Sequence, residues 1–188
     1  MTPLETSLGL SEAPVRDDAE PPEHRLRVEV TNQTDQPIDA RRLAAAVEAA
    51  LSNVVDRRVA VSLVVVDDPT IHRLNRQFLD HDYATDVLSF VLEDDQERLE
   101  GEIIVSVDTA TREATEAGWR AADELMLYAV HGALHLAGYG DKQPADVIAM
   151  RAAEVAILDG LKVARSPSDS RWQPIESRDD SQEEVTDA

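Results

Sequence analysis

Residues 121–138 read AADELMLYAVHGALHLAG, and no other segment of the chain is so continuously apolar. Leu125, Met126, Leu127, Tyr128, Ala129, Val130, Leu134 and Leu136 leave polar surface only near its start, which predicts a helix over Ala121–Ala137 that is apolar nearly all round. A helix of that kind lies in the middle of a fold, covered on several sides. Gly138 supplies a C-terminal stop.

The flanking sequence supplies what covers it. Leu26, Val28 and Val30 alternate with Arg27 and Glu29, the period of a half-buried strand. Val59–Val66 is β-branched and mostly apolar, a strand buried on much of both faces. Val87–Leu92 and Ile103–Val107 predict a third and fourth strand, joined by a charged, hairpin-like connection over Glu93–Glu100. Asp39 reads as the cap of a helix carrying Leu43, Val47, Ala50 and Leu51. Asp68-Pro69 reads as the start of a second helix, with Asp68 as cap and Ile71, Leu74 and Phe78 as its inner stripe. Asp80–Tyr83 is a polar loop. Asp108 is placed to cap a third helix ending at Gly118, and a last helix starts near Pro144 and stops near Gly160. No internal repeat is present. The expected fold class is α+β, one domain with a sheet of about four strands and helices packed on it.

Composition narrows the function classes. With 43% hydrophobic and 30% charged residues, the 188-residue chain has the balance of a soluble globular domain. No apolar run approaches the roughly 20 residues that span a bilayer, and the N-terminus has no signal-peptide pattern. Cysteine is absent, which excludes disulfides, thiolate metal sites and cysteine nucleophiles and suits a reducing cytoplasm. The net charge of −20 by itself argues against a nucleic-acid partner, since phosphate is normally met by a Lys/Arg surface. Residues 1–25 and 165–188 are rich in Ser, Pro, Asp and Glu and read as acidic disordered tails, leaving 26–164 as the folded domain, itself still acidic. Within it, Arg41, Arg42, Arg57, Arg58, Arg73 and Arg76 are candidates for a local basic patch, with Arg73 and Arg76 as substrate contacts.

The apolar helix carries two histidines, His131 and His135. Four residues apart, they lie on one helix face, which is how a helix offers two nitrogens to one metal ion. The bland alternative is a pair of core histidines bonded to backbone or water. Three features favour a metal. The surrounding helix is apolar, so buried imidazoles need partners. Gly138 permits a sharp turn three residues after His135. Asp141 follows three residues later, where the returning chain brings a carboxylate toward the pair. The order H-x-x-x-H-x-x-G-x-x-ligand is that of the extended zincin motif. Two imidazoles, a carboxylate and an open position form the catalytic pattern of zinc, although nickel, cobalt and iron also accept such donors. A zinc peptidase would carry Glu after the first histidine as general base. Here that residue is Gly132, which disfavours a standard peptidase.

His131-Gly132-Ala133-Leu134-His135-Leu136-Ala137-Gly138-Tyr139 resembles the H-G-x-L-H-L-x-G-Y signature of the YbeY family of bacterial endoribonucleases and ribosomal RNA maturation factors. Asn75-Arg76-Gln77-Phe78-Leu79 with Thr85-Asp86-Val87-Leu88-Ser89-Phe90 is similar to that family's N-x-x-[FY]…T-[DN]-V-L-S-F segment, and Gly101–Ser106 to its G-[DE]-I-x-I-S strand. The resemblance covers roughly 26–160. It implies a compact α+β domain with a mixed sheet and a zinc-bearing central helix. It implies a zinc-dependent, single-strand-specific endoribonuclease in ribosomal RNA maturation (16S 3′-end processing) and ribosome quality control, with ribosomal RNA as partner and no membrane association. One zinc ion would be held by His131, His135 and Asp141; no general base is identifiable. The family usually continues G-Y-D-H, with the last histidine as third ligand; here Gly140 and Asp141 stand in those two places. Many members also carry arginine where this chain has Leu79. Thr85 and Asp86 are expected to orient a loop at the mouth of the site, and Asn75 to be either a helix-surface residue or a loop-bracing donor. Two other readings compete: a non-catalytic ribosome-assembly factor whose acidic surface binds basic ribosomal proteins, and a metallohydrolase of another bond.

Overall fold

Chain order runs β1 (Leu26–Asn32), α1 (Ala40–Leu51), β2 (Arg58–Val66), α2 (Asp68–Leu79), β3 (Val87–Asp94), β4 (Arg98–Ser106), α3 (Val107–Ala117), α4 (Ala121–Leu136) and α5 (Pro144–Gly160). The structure, a computed structural model, describes residues 25–54 and 57–164; the tails assigned from composition lie outside it, apart from Arg25. The four strands form one mixed sheet in the order β1-β2-β4-β3. β1, β2 and β4 are parallel, with Val30 opposite Leu63 and Leu63 opposite Ile103. β3 is antiparallel to β4 and forms one edge. The two central strands are the most buried, and their second halves, covered on both faces, are almost wholly apolar.

Each face has its own core. On one, α1 and α4 pack with Leu63, Val65, Ile103 and Val105 around Val47, Leu51, Val130 and Leu134. On the other, α2 is the one described helix that covers Val64, Val66, Leu88 and Ile104, through Ile71 and Leu74. α4 is buried almost throughout, including Asp123 and Glu124 in its first turn. These acids sit at the positive end of the helix dipole. Asp123 takes a bidentate bond from Arg120, and Glu124 accepts from the Trp119 indole.

Several local expectations are corrected. The cap of α2 is Asp67, which accepts from Thr70 N, so Asp68 and Pro69 are the first two helical residues. Proline fits either early position, because neither N–H has an intrahelical partner. The cap of α3 is Ser106, one residue before the expected end of the fourth strand, and Val107 and Asp108 are already helical. Asp108 instead accepts from Asp68 N and Gln36 Nε2, joining the starts of α2 and α3 to the β1–α1 loop. Phe78 is not on the inner face of α2: it is 57% exposed and meets Phe90 edge-on. The buried residue of that turn is Asn75, whose amide donates to the Tyr83 carbonyl, so it is a loop brace. The charged connection is shorter than expected, since β3 runs to Asp94 and β4 starts at Arg98. Cross-strand and neighbouring ion pairs, Arg98 with Glu93 and Glu100 and Arg57 with Asp94, let charged residues sit in this ribbon.

Candidate metal centre

The site is built at the C-terminal end of α4, where the helix lies close against the sheet. A Cβ on Gly132 would lie 2.7 Å from Ile103 Cγ2, 2.8 Å from Ser89 Oγ and 3.0 Å from Val87 Cγ2. Ser89 Oγ also donates to the Gly132 carbonyl at 3.1 Å. The residue after His131 is therefore glycine because β3 and β4 leave no room for a side chain, and the peptidase glutamate has no place there. With that face against the sheet, His131 and His135 emerge on another face, each partly exposed.

The end of α4 then forms a tight reversal. Gly138 has φ of 90°, a left-handed conformation that glycine adopts without strain. Tyr139 N donates to Leu134 O and Gly138 N to His135 O, the paired bonds of a Schellman motif. The turn places the Tyr139 carbonyl 3.0 Å from His135 Nδ1 and brings Asp141 back, its Oδ2 3.5 Å from His135 Nε2. The two Nε2 atoms are 2.9 Å apart. One ligand atom each from His131, His135 and Asp141 lies within 4.8 Å of the other two. All three residues singled out from spacing thus converge on one point.

A fourth residue was not visible in the spacing. Glu154 of α5, fully buried, places Oε1 2.7 Å from His131 Nδ1, while Arg151 Nη1 donates to its Oε2 at 2.9 Å. The available signal was a lone acidic residue at the centre of the Met150, Glu154, Leu158 stripe, where an apolar side chain is the default.

These hydrogen bonds test the fit of a metal. Each Nδ1 faces an acceptor with no hydrogen to give, a carboxylate for His131 and a carbonyl for His135. Each Nδ1 therefore carries the ring hydrogen. Both Nε2 atoms are then lone pairs, and they face each other across the short gap. They repel unless positive charge, a proton or a metal ion, sits beside them. Two neutral imidazoles and a carboxylate are the donors of catalytic zinc sites, and a carboxylate or carbonyl on the far nitrogen of each ring is their usual support. Tetrahedral bonds of 2.0–2.1 Å separate two nitrogens by about 3.3 Å, so ring movements of a few tenths of an ångström admit the ion. The residues fit.

The structure also explains one departure in the turn. A Cβ at Gly140 would meet the Asp146 carboxylate at 3.1 Å, so the acid usual there would sit against another acid. Thr85 Oγ1 and Val87 N both donate to Asp86 Oδ1, which fixes the loop entering β3. The six arginines do not gather into one patch. Arg41 and Arg42 start α1, Arg57 and Arg58 lead into β2, and Arg73 and Arg76 lie on α2. α2, which carries Arg73 and Arg76, packs on the sheet face opposite α4. Both are exposed, and Arg76 lies 3.7 Å from Asp82. Leu79 is 48% exposed.

Fold and site together define an α+β protein whose central helix and following turn aim two imidazoles and a carboxylate at one point. The family model described as endoribonuclease YbeY matches residues 29–162. A protein named endoribonuclease YbeY from Rhodopirellula baltica is 41% identical over 141 residues, covering 72% of this chain and 72% of the relative. Another of that name from Chlorobaculum parvum is 34% identical over 139 residues, covering 74% of this chain and 98% of the relative. The solution structure of TM1509 from Thermotoga maritima superposes with a TM-score of 0.50 at 23% identity, covering 80% of this chain and 99% of that one, and supports the fold. The chain belongs to the YbeY endoribonuclease family. That name describes an RNA-cleaving hydrolase. Among the described residues no helix is long and apolar enough to cross a membrane.

Proposed function

We propose that this chain is a zinc-dependent, single-strand-specific endoribonuclease acting in the cytoplasm on ribosomal RNA, in 16S 3′-end maturation and ribosome quality control. The observation that carries the metal reading is the facing pair of Nε2 atoms, 2.9 Å apart, with the Asp141 carboxylate beside them. His131, His135 and Asp141 hold one zinc ion. When bound, the ion supplies Lewis acidity toward a phosphoryl oxygen. The protein's part is positioning. Glu154 and the Tyr139 carbonyl fix the two ring tautomers, and the buried side of α4 anchors the helix that carries both rings to the sheet. Gly132, with no side chain, provides no base beside the first ligand, so proton transfer falls to another group or to the substrate itself. Arg73 and Arg76 are the positions we assign to RNA phosphate, since both are exposed cations in an acidic chain.

The test is cleavage of single-stranded ribosomal RNA fragments by the purified chain, with and without chelator. Chelator-sensitive cleavage that is lost in His131→Ala supports the proposal. Ribosome association without cleavage in any metal condition would replace it with an assembly role, and cleavage of a protein substrate but not RNA with a different hydrolase.

A further inference from the structure

α5 buries Met150, Glu154 and Leu158, spaced four residues apart along one stripe. The middle member is a carboxylate with no exposed surface. A purely structural seam would carry an apolar residue there, because a buried charge is costly unless paired. Arg151 alone does not require the burial: it lies one turn away on the same helix with its side chain 36% exposed, and the two could meet in solvent. The contact that only the interior offers is His131 Nδ1, on α4, 23 positions back in the chain.

We propose that Glu154 is a positioning residue for the metal centre: held by Arg151, it keeps the His131 ring hydrogen on Nδ1 and the Nε2 lone pair turned toward His135 and Asp141. This rests on the metal reading above and extends it to α5. The carboxylate suits the task because it can only accept. Arg151 donates to Oε2, so Oε1 is left facing the ring, and the ring must donate. Glutamine in this place would behave differently. Its amide oxygen would pair with Arg151, which has only hydrogens to offer, and its NH2 group would then face Nδ1. The ring hydrogen would move to Nε2, covering the lone pair that the metal needs. The substitution keeps side-chain size and changes one thing, the direction of a hydrogen bond.

Glu154→Gln in the full chain is therefore the probe, read in two ways. In metal-free protein, 15N spectra of the imidazoles should show the His131 hydrogen on Nδ1 in the parent and on Nε2 in the variant. In competition with a chromophoric chelator, the variant should bind Zn2+ about 10–100-fold more weakly, the usual loss when such a supporting partner is removed. A merely structural role would lower the melting temperature and leave both readings unchanged, and that result overturns the proposal. If Glu154→Gln does not fold, Arg151→Gln, at a partly exposed position, takes its place. Loosening the carboxylate should weaken Zn2+ severalfold with the hydrogen still on Nδ1, and unchanged affinity overturns the proposal. If the parent chain binds no Zn2+, the metal reading fails by itself, and the ring spectra of the metal-free proteins still decide whether Glu154 sets the His131 tautomer.

Discussion

Replacing Gly132 by alanine adds one methyl group at a point where α4 lies close against the sheet. Inside a helix this exchange is normally stabilising by about 1 kcal/mol, because glycine is the more flexible residue in the unfolded chain. Here the methyl carbon would lie 2.7 Å from Ile103 Cγ2, 2.8 Å from Ser89 Oγ and 3.0 Å from Val87 Cγ2. Ile103 and Val87 are β-branched residues on paired strands, with little rotamer freedom to yield. The helix must move outward instead, and overpacking of this kind costs about 1–3 kcal/mol. The Ser89 bond to the Gly132 carbonyl is strained as well, worth about 1 kcal/mol. The net expectation is a loss of about 1–3 kcal/mol, or about 3–9 °C in Tm for a domain of this size. Gly160 supplies the control, since nothing lies within 4 Å of its added Cβ and its φ is not positive. Gly160→Ala should leave Tm level or raise it by about 1–2 °C. Calorimetry of the metal-free full chains measures both. A Gly132→Ala protein as stable as the Gly160→Ala protein would refute the close packing that explains the missing glutamate.

Further expectations concern the rest of the frame. Asn75→Ala should cost about 1–3 kcal/mol by leaving the Tyr83 carbonyl without its buried donor, and hydrogen exchange should rise over residues 80–86 before it rises in the sheet. Burial works to raise the Asp68 carboxyl, but bonds from Ser106, Thr109 and Arg112 outweigh it and hold the group below the usual carboxylate value; Thr70 holds Asp67 low in the same sense. Both bind protons more weakly folded than unfolded, so the stability they add is present above about pH 4 and lost as pH falls through their folded values. Asp68→Asn should therefore flatten the acid limb of a Tm–pH curve below about pH 4, and an unchanged limb would contradict this. Burial, with Glu124 beside it, pushes the Tyr128 phenol up beyond the ordinary tyrosine range. Spectrophotometric titration of Tyr128→Phe should match the parent until the chain unfolds in alkali.

The parts of this protein that were legible in its sequence are those carried by one element at a time. α4 and α5 begin and end where hydrophobic period, proline and glycine place them, and the histidine pair with Asp141 lies within a single helix and its turn. Cap residues were misplaced by one or two positions at α2 and α3 because adjacent polar residues, Asp67 and Asp68, or Ser106 and Asp108, compete for the same N–H groups. Phe78 defeated the helical period because, among the described helices, α2 covers its sheet face unaided and its last turn leaves Phe78 largely exposed, edge-on to Phe90 of β3. Strand order and Glu154 were hidden for a different reason. Both depend on contacts between distant segments, and no local spacing encodes that α5 returns to place a carboxylate behind His131.

The central claim is that His131, His135 and Asp141 share one ion. X-ray absorption at the zinc edge, on full chain loaded with one equivalent of Zn2+, tests it most directly. The account predicts two imidazole ligands with oxygen donors completing the shell, falling to one imidazole in His131→Ala. A spectrum with oxygen donors alone, or one that His131→Ala leaves unchanged, would contradict it.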